Sequence, residues 1–149
     1  MEAIMTSIAL ARLPAADRLL PNIEANAETI MAAVDDLYQL DNAVFFEGIE
    51  ATPSVPAPPT TELNRAAYLW CNYCVGDIQY AVNAVIAEFN SHGIVGPPDY
   101  TDMVQITLWR PETLAIDGSF ITALNSDWAA VETAINTMYS NYESLFKKG

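Results

Sequence analysis

The chain is 149 residues long and carries 19 Asp and Glu against 6 Lys and Arg, for a formal net charge of −13. That balance argues against direct contact with DNA or RNA, whose phosphates are bound by clustered Lys and Arg, and against an anionic membrane surface. A hydrophobic fraction of 52% suits a single domain with a sizeable core, while a charged fraction of 17% lies below the roughly 25% usual in soluble domains.

Residues 1–15, MEAIMTSIALARLPA, open with the acidic Glu2 and have no basic n-region, so they do not read as a secretory signal. Ile4, Ile8 and Ala11 share one helical face and predict a short docking helix. No stretch reaches the ~18 apolar residues of a membrane span. A cytoplasmic location is the resulting expectation.

From Leu19 to Asn64 there is no basic residue at all, against Glu24, Glu28, Asp35, Asp36, Asp41, Glu47, Glu50 and Glu62. Within this stretch Ile23, Ala27, Ile30, Met31, Val34, Leu37 and Tyr38 step by three and four, which predicts a helix from Asn22 to Leu40. Ala43 to Ala51 adds at most a further turn or two. Residues 51–60, ATPSVPAPPT, carry four prolines and predict a semi-rigid connector between antiparallel helices.

The longest periodic segment, Glu62 to Ser91, opens at a Thr61 cap. Leu63, Ala67, Trp70, Cys74, Ile78, Ala81, Val85 and Phe89 form its stripe, and Leu69, Tyr73, Tyr80 and Ile86 form a second apolar edge. Residues 93–101 read as a loop. Met103 to Arg110 alternates apolar and polar residues like a strand, whose mate would come from Ala43 to Ile49 or from another subunit. Pro111-Glu112 opens a turn ending near Gly118. A last helix runs from Ser119 or Ser126 to Phe146, with Trp128, Val131, Ile135, Met138, Tyr142 and Leu145 on its buried face. The fold class is therefore mainly α: a single acidic domain over 1–149, built as a small bundle of three long helices with shorter pieces and at most one strand or hairpin.

Chemistry-bearing motifs are sparse. Cys71 and Cys74 form a C-x-x-C inside the long periodic segment, where core burial is expected instead of redox or zinc chemistry. His92, the single histidine, reads as a capping or surface residue. No nucleophile elbow, Walker loop, zincin motif or dinucleotide fingerprint occurs, so neither catalysis, cofactor nor metal is expected. Glu24, Glu28 and Asp35 instead fall in one band of the first helix, since steps of four and seven nearly preserve azimuth. With Met31 and Tyr38 beside them they form the expected partner-binding set. The favoured function is a non-catalytic binder of a basic protein surface, of the inhibitor, nucleic-acid-mimic or immunity type. The competing expectation is an assembly subunit of a viral particle or another multimer, with a homo-oligomer among the expected partners, and a small-molecule- or metal-binding bundle is the distant third.

Overall fold

The computed structural model describes residues 7–45, 48, 65–92, 103–111 and 117–148, with side chains left undescribed at 16, 65–68 and 146–148. The three periodic segments are helices: α1 (Leu19–Phe45), α2 (Arg65–Ser91) and α3 (Gly118–Lys148). Each touches the other two, giving a small all-helical bundle.

Local chemistry sets the helix ends. Pro21 falls in the first turn of α1, where its missing N–H would have had no intrahelical partner anyway. Asp117 caps α3: its Oδ1 accepts the Phe120 N–H at 3.0 Å and its carbonyl accepts the Ile121 N–H. α1 runs five residues past its expected stop, absorbing Ala43, Val44 and Phe45. The Thr61 cap, Gly93 and the proline-rich 51–60 segment lie outside the described residues, as does a turn over 112–116.

Heptad-like rows fill the core. Ile23, Ile30, Val34 and Leu37 of α1 meet Cys74, Ile78, Val82 and Ile86 of α2 and Leu124, Trp128, Ile135 and Met138 of α3. A buried Leu or Ile is worth about 1.5–3 kcal/mol over its exposed state, so these rows dominate the stability of the bundle. The apolar edge expected on α2 is corrected: Tyr73 and Tyr80 are 56% and 79% exposed. They sit a heptad apart on the outward side of α2, while Ile86 of the same edge is buried.

Pairings along the bundle show that the helices run parallel. Trp128 Nε1 donates to Asn22 Oδ1, Tyr139 to Asp36 and Tyr142 to Asp41, so residue numbers rise together in α1 and α3. On α2, Cys71 lies near Asp127 and Phe89 packs edge-on against Tyr142, again in rising order. The expectation of antiparallel neighbours is thereby corrected. Parallel elements need long return connections in place of tight turns, and 93–117 between α2 and α3 supplies one.

Two non-helical straps, residues 7–14 and 103–111, run back along the helices. The first corrects the expected docking helix around Ile8 and Ala11. The second corrects the expected strand pairing of Met103 to Arg110, because no strand occurs among the described residues. Both straps are bonded by helix side chains. No helix of the described residues is long and apolar enough to cross a membrane.

Candidate functional site

Each strap lies on a row of polar side chains that takes the place of a neighbouring β-strand. On α2, Asn90 Nδ2 donates to the Met103 carbonyl, Asn83 donates to the Ile106 carbonyl and accepts its N–H, and Gln79 Oε1 accepts the Leu108 N–H. Asn72 Nδ2 then donates to the Pro111 carbonyl. On α3, Asn136 pairs with both backbone groups of Ile8, Glu132 Oε2 accepts the Leu10 N–H, and Asn125 pairs with both groups of Leu13. All these bonds fall between 2.7 and 3.1 Å.

The registers match because helix and strand rises are commensurate. Seven helical residues advance about 10.5 Å and three extended residues about 10 Å, while four advance about 6 Å and two about 6.6 Å. On α2, the steps Asn90 to Asn83, Asn83 to Gln79 and Gln79 to Asn72 pair with strap steps of three, two and three residues. On α3, Asn136 to Glu132 and Glu132 to Asn125 pair with steps of two and three. Both straps therefore run extended and antiparallel to their rail.

The two arrangements are copies of one another in sequence as well. The rails share the pattern Asn-x6-Gln/Glu-x3-Asn at 72, 79, 83 and 125, 132, 136, and the straps share Ile-x-Leu-x-Arg at 8, 10, 12 and 106, 108, 110. Each strap is also held by the helix that follows it: Asn26 Oδ1 accepts the Ala11 N–H, and Asp127 Oδ1 accepts the equivalent Trp109 N–H. The arginines close the pattern. Arg12 pairs with Glu132 at 3.5 Å, whereas Arg110 donates Nη2 to Asn72 Oδ1 at 2.6 Å and stacks over Gly76, where a Cβ would come within 2.8 Å of its guanidinium. The mid-helix glycine makes room for that arginine.

A second polar constellation joins the C-terminal halves of the helices. Asp41 is fully buried on α1; its Oδ1 accepts the Tyr142 hydroxyl at 2.7 Å and lies 3.1 Å from His92 Nε2. His92 also faces Glu88 at 3.4 Å and stacks on Phe45 at 3.5 Å. His92 is thus a half-buried clamp between α1 and α2 and no surface cap. Asp41, Glu88 and His92 each bring one ligand atom within 4.8 Å of the others, which is compact enough to hold a cation. The same distances are those of hydrogen bonds and an ion pair among the three groups, which already accounts for their arrangement. Burial pushes the Tyr142 hydroxyl up, and its bond to Asp41 adds to the shift.

Elsewhere, Cys71 and Cys74 are free and buried. Desolvation pushes the Cys74 thiol up to about 12 and raises Cys71 further, so both stay protonated. Burial likewise pushes the Asp127 carboxyl up to about 7, against the Trp109 N–H that lowers it. Its Oδ2 finds no partner among the described residues.

Of the expected partner-binding set, Glu24 and Glu28 are exposed and Asp35 and Tyr38 half-buried, all along α1. Met31 is corrected: it is 8% exposed and belongs to the core, so it offers nothing to a partner. Asp35 accepts a bond from Gln39, and neither Glu24 nor Glu28 makes an ion pair among the described residues. None of the rail residues stands out in the sequence reading, where helical amides pass for a solvated side. The signal that finds them is the repeated seven-then-four spacing beside a duplicated Ile-x-Leu-x-Arg. No family model, curated protein or solved structure matches the chain.

Proposed function

We propose that the protein is a non-catalytic binder that docks the outward face of α1 onto a basic surface of a partner protein, as an inhibitor- or immunity-type protein does. The observation that carries this reading is an acidic stripe that makes no ion pair among the described residues. Glu24, Glu28 and Asp35 line α1, and the chain holds no basic residue from Leu19 to Asn64. Arg12 and Arg110 are committed to their straps and leave the stripe alone. Exposed like charges cost stability unless salt or a partner relieves them, and complementary charge speeds encounter more than it adds affinity.

The test separates location from net charge. Glu28→Lys with Asp35→Lys should slow association with an oligolysine probe and flatten its salt dependence, because exposed charges are screened beyond about 8 Å at physiological ionic strength. Asp17→Lys with Asp77→Lys changes the net charge equally at exposed sites off the stripe and should do far less. Equal effects of the two pairs would reduce the acidity to a solubility device. The strap-and-rail architecture favours a second reading, in which the chain is an assembly subunit that holds extended segments of its neighbours.

A further inference from the structure

We propose that the acidic stripe of α1 is a third rail, built on the register of the other two and open to an extended, arginine-bearing segment of a partner protein. This rests on the reading of α1 as the partner face and adds the form of the ligand. Glu28, Asp35 and Gln39 are separated by seven and four residues, as are Asn72, Gln79 and Asn83 on α2 and Asn125, Glu132 and Asn136 on α3. The core confirms that the registers correspond. The positions just before and two, three and six after the first rail residue are Ala27, Ile30, Met31 and Val34 on α1. On α2 they are Cys71, Cys74, Val75 and Ile78, and all eight are buried. A row that faces a strap on two helices of a parallel bundle thus recurs on the third.

Among the described residues the α1 row differs in occupancy, and it differs in chemistry. Its three members are exposed, half-buried and exposed, whereas all six of their counterparts are half-buried beneath a strap. The amide of Gln39 donates to Asp35 within the row, where Asn83 and Asn136 bond a strap. Carboxylates stand at two of its three places. Those two places are the ones the strap arginines use: Arg12 pairs with Glu132, the counterpart of Asp35, and Arg110 bonds Asn72, the counterpart of Glu28. An arginine of a third strap would pair with one of the two carboxylates, as Arg12 and Arg110 each use one rung, and an extended backbone would give its N–H groups to the other. Across the α1–α2 groove stands Tyr80 of α2, 79% exposed and close to Tyr38 of α1. An exposed tyrosine face on the neighbouring helix is a surface on which a guanidinium can stack.

The probe is the synthetic octapeptide SIALARLP, which reproduces residues 7–14, titrated into the full chain by calorimetry beside a scrambled peptide of the same composition and an oligolysine. Saturable one-to-one binding of SIALARLP is expected, with the scramble weaker by about tenfold. Glu28→Gln with Asp35→Asn should weaken SIALARLP by about tenfold, the loss of a charge-assisted contact, with helix content unchanged by circular dichroism. Gln39→Ala should weaken SIALARLP and leave oligolysine unaffected. Equal binding of all three probes would overturn the rail while sparing the charge-only reading of the stripe. Peptide binding indifferent to the α1 substitutions would place the peptide on another rail and overturn the proposal, as would absence of binding. Self-association of the chain that the same substitutions abolish would make the occupant a second copy and overturn the assignment to a partner.

Discussion

Asn83→Ala breaks one rung of a rail without touching the core. Asn83 is half-buried on α2; it donates to the Ile106 carbonyl at 2.9 Å and accepts the Ile106 N–H at 2.8 Å. Two bonds at about 1 kcal/mol each are lost. Alanine returns about 0.6 kcal/mol through better helix propensity, and the freed backbone groups of half-buried Ile106 regain some water. A net loss of about 1.5 kcal/mol follows, or about 3–6 °C in melting temperature for a chain of this size. Thermal melts followed by circular dichroism measure it. Hydrogen exchange locates it, because Ile106, Leu108 and Trp109 should be protected amides although they lie in no helix or sheet. In the variant Ile106 should lose that protection while the α2 amides keep theirs. Exchange of Ile106 at the rate of a free peptide in the parent chain, or an unchanged melting temperature, would refute the side-chain ladder as the source of the strap's order.

Three further perturbations address other joints. Gly76→Ala should be nearly neutral, since about 1 kcal/mol of helix propensity is offset by displacing Arg110 from Asn72; in an Arg110→Ala background the same change should stabilise by the full amount. Equal gains in both backgrounds, read from urea melts, would detach Gly76 from the strap arginine. Asp127 has a folded pKa raised from 3.8 to about 7, so the folded chain holds a proton that the unfolded chain releases, and stability present below about pH 4 declines as pH rises through 7. Asp127→Asn keeps the acceptor for Trp109 and removes the charge; it should melt above the parent at pH 8 and level with it at pH 4, and parity at both would mean that the carboxyl is well solvated. Tyr142→Phe removes the hydroxyl that Asp41 accepts inside the core and should cost about 1.5–3 kcal/mol; an unchanged melt would show Asp41 satisfied by His92 alone.

Helical periodicity was legible because the core is read by one rule throughout: Ile23 to Leu37, Trp70 to Phe89 and Trp128 to Tyr142 repeat at helical spacing and are buried as that spacing requires. Helix direction was not legible, since side-chain pattern carries no information on whether neighbours are parallel. Met103 to Arg110 alternates as a strand does and is extended as a strand is, yet its partner is a helix. A search for mates among other alternating runs could not find it, because the complementary groups are spaced by seven and four. His92 was misread for a different reason: its partner Asp41 is 51 residues away, and local context gave only a helix end.

Asparagine recurs in these rails because of what a peptide group needs. Its side chain offers a donor and an acceptor side by side, as a neighbouring strand would, on a stem short enough to be held by the helix. Asn22, Asn26, Asn72, Asn83, Asn90, Asn125 and Asn136 each donate to a strap carbonyl. The two acidic side chains in the same network, Glu132 and Asp127, sit where a strap N–H is met, each through an accepting carboxyl oxygen. Pro111, which has no N–H, leaves Asn72 Oδ1 open, and Arg110 takes it. The residue types of an occupied rail thus record which backbone groups its strap presents. Applied to the proposed third rail, the same rule assigns to Glu28 and Asp35 the accepting of N–H groups or a guanidinium, Asp35 already accepting from Gln39, and the acidity of α1 would then bear on a ligand as well as on solubility.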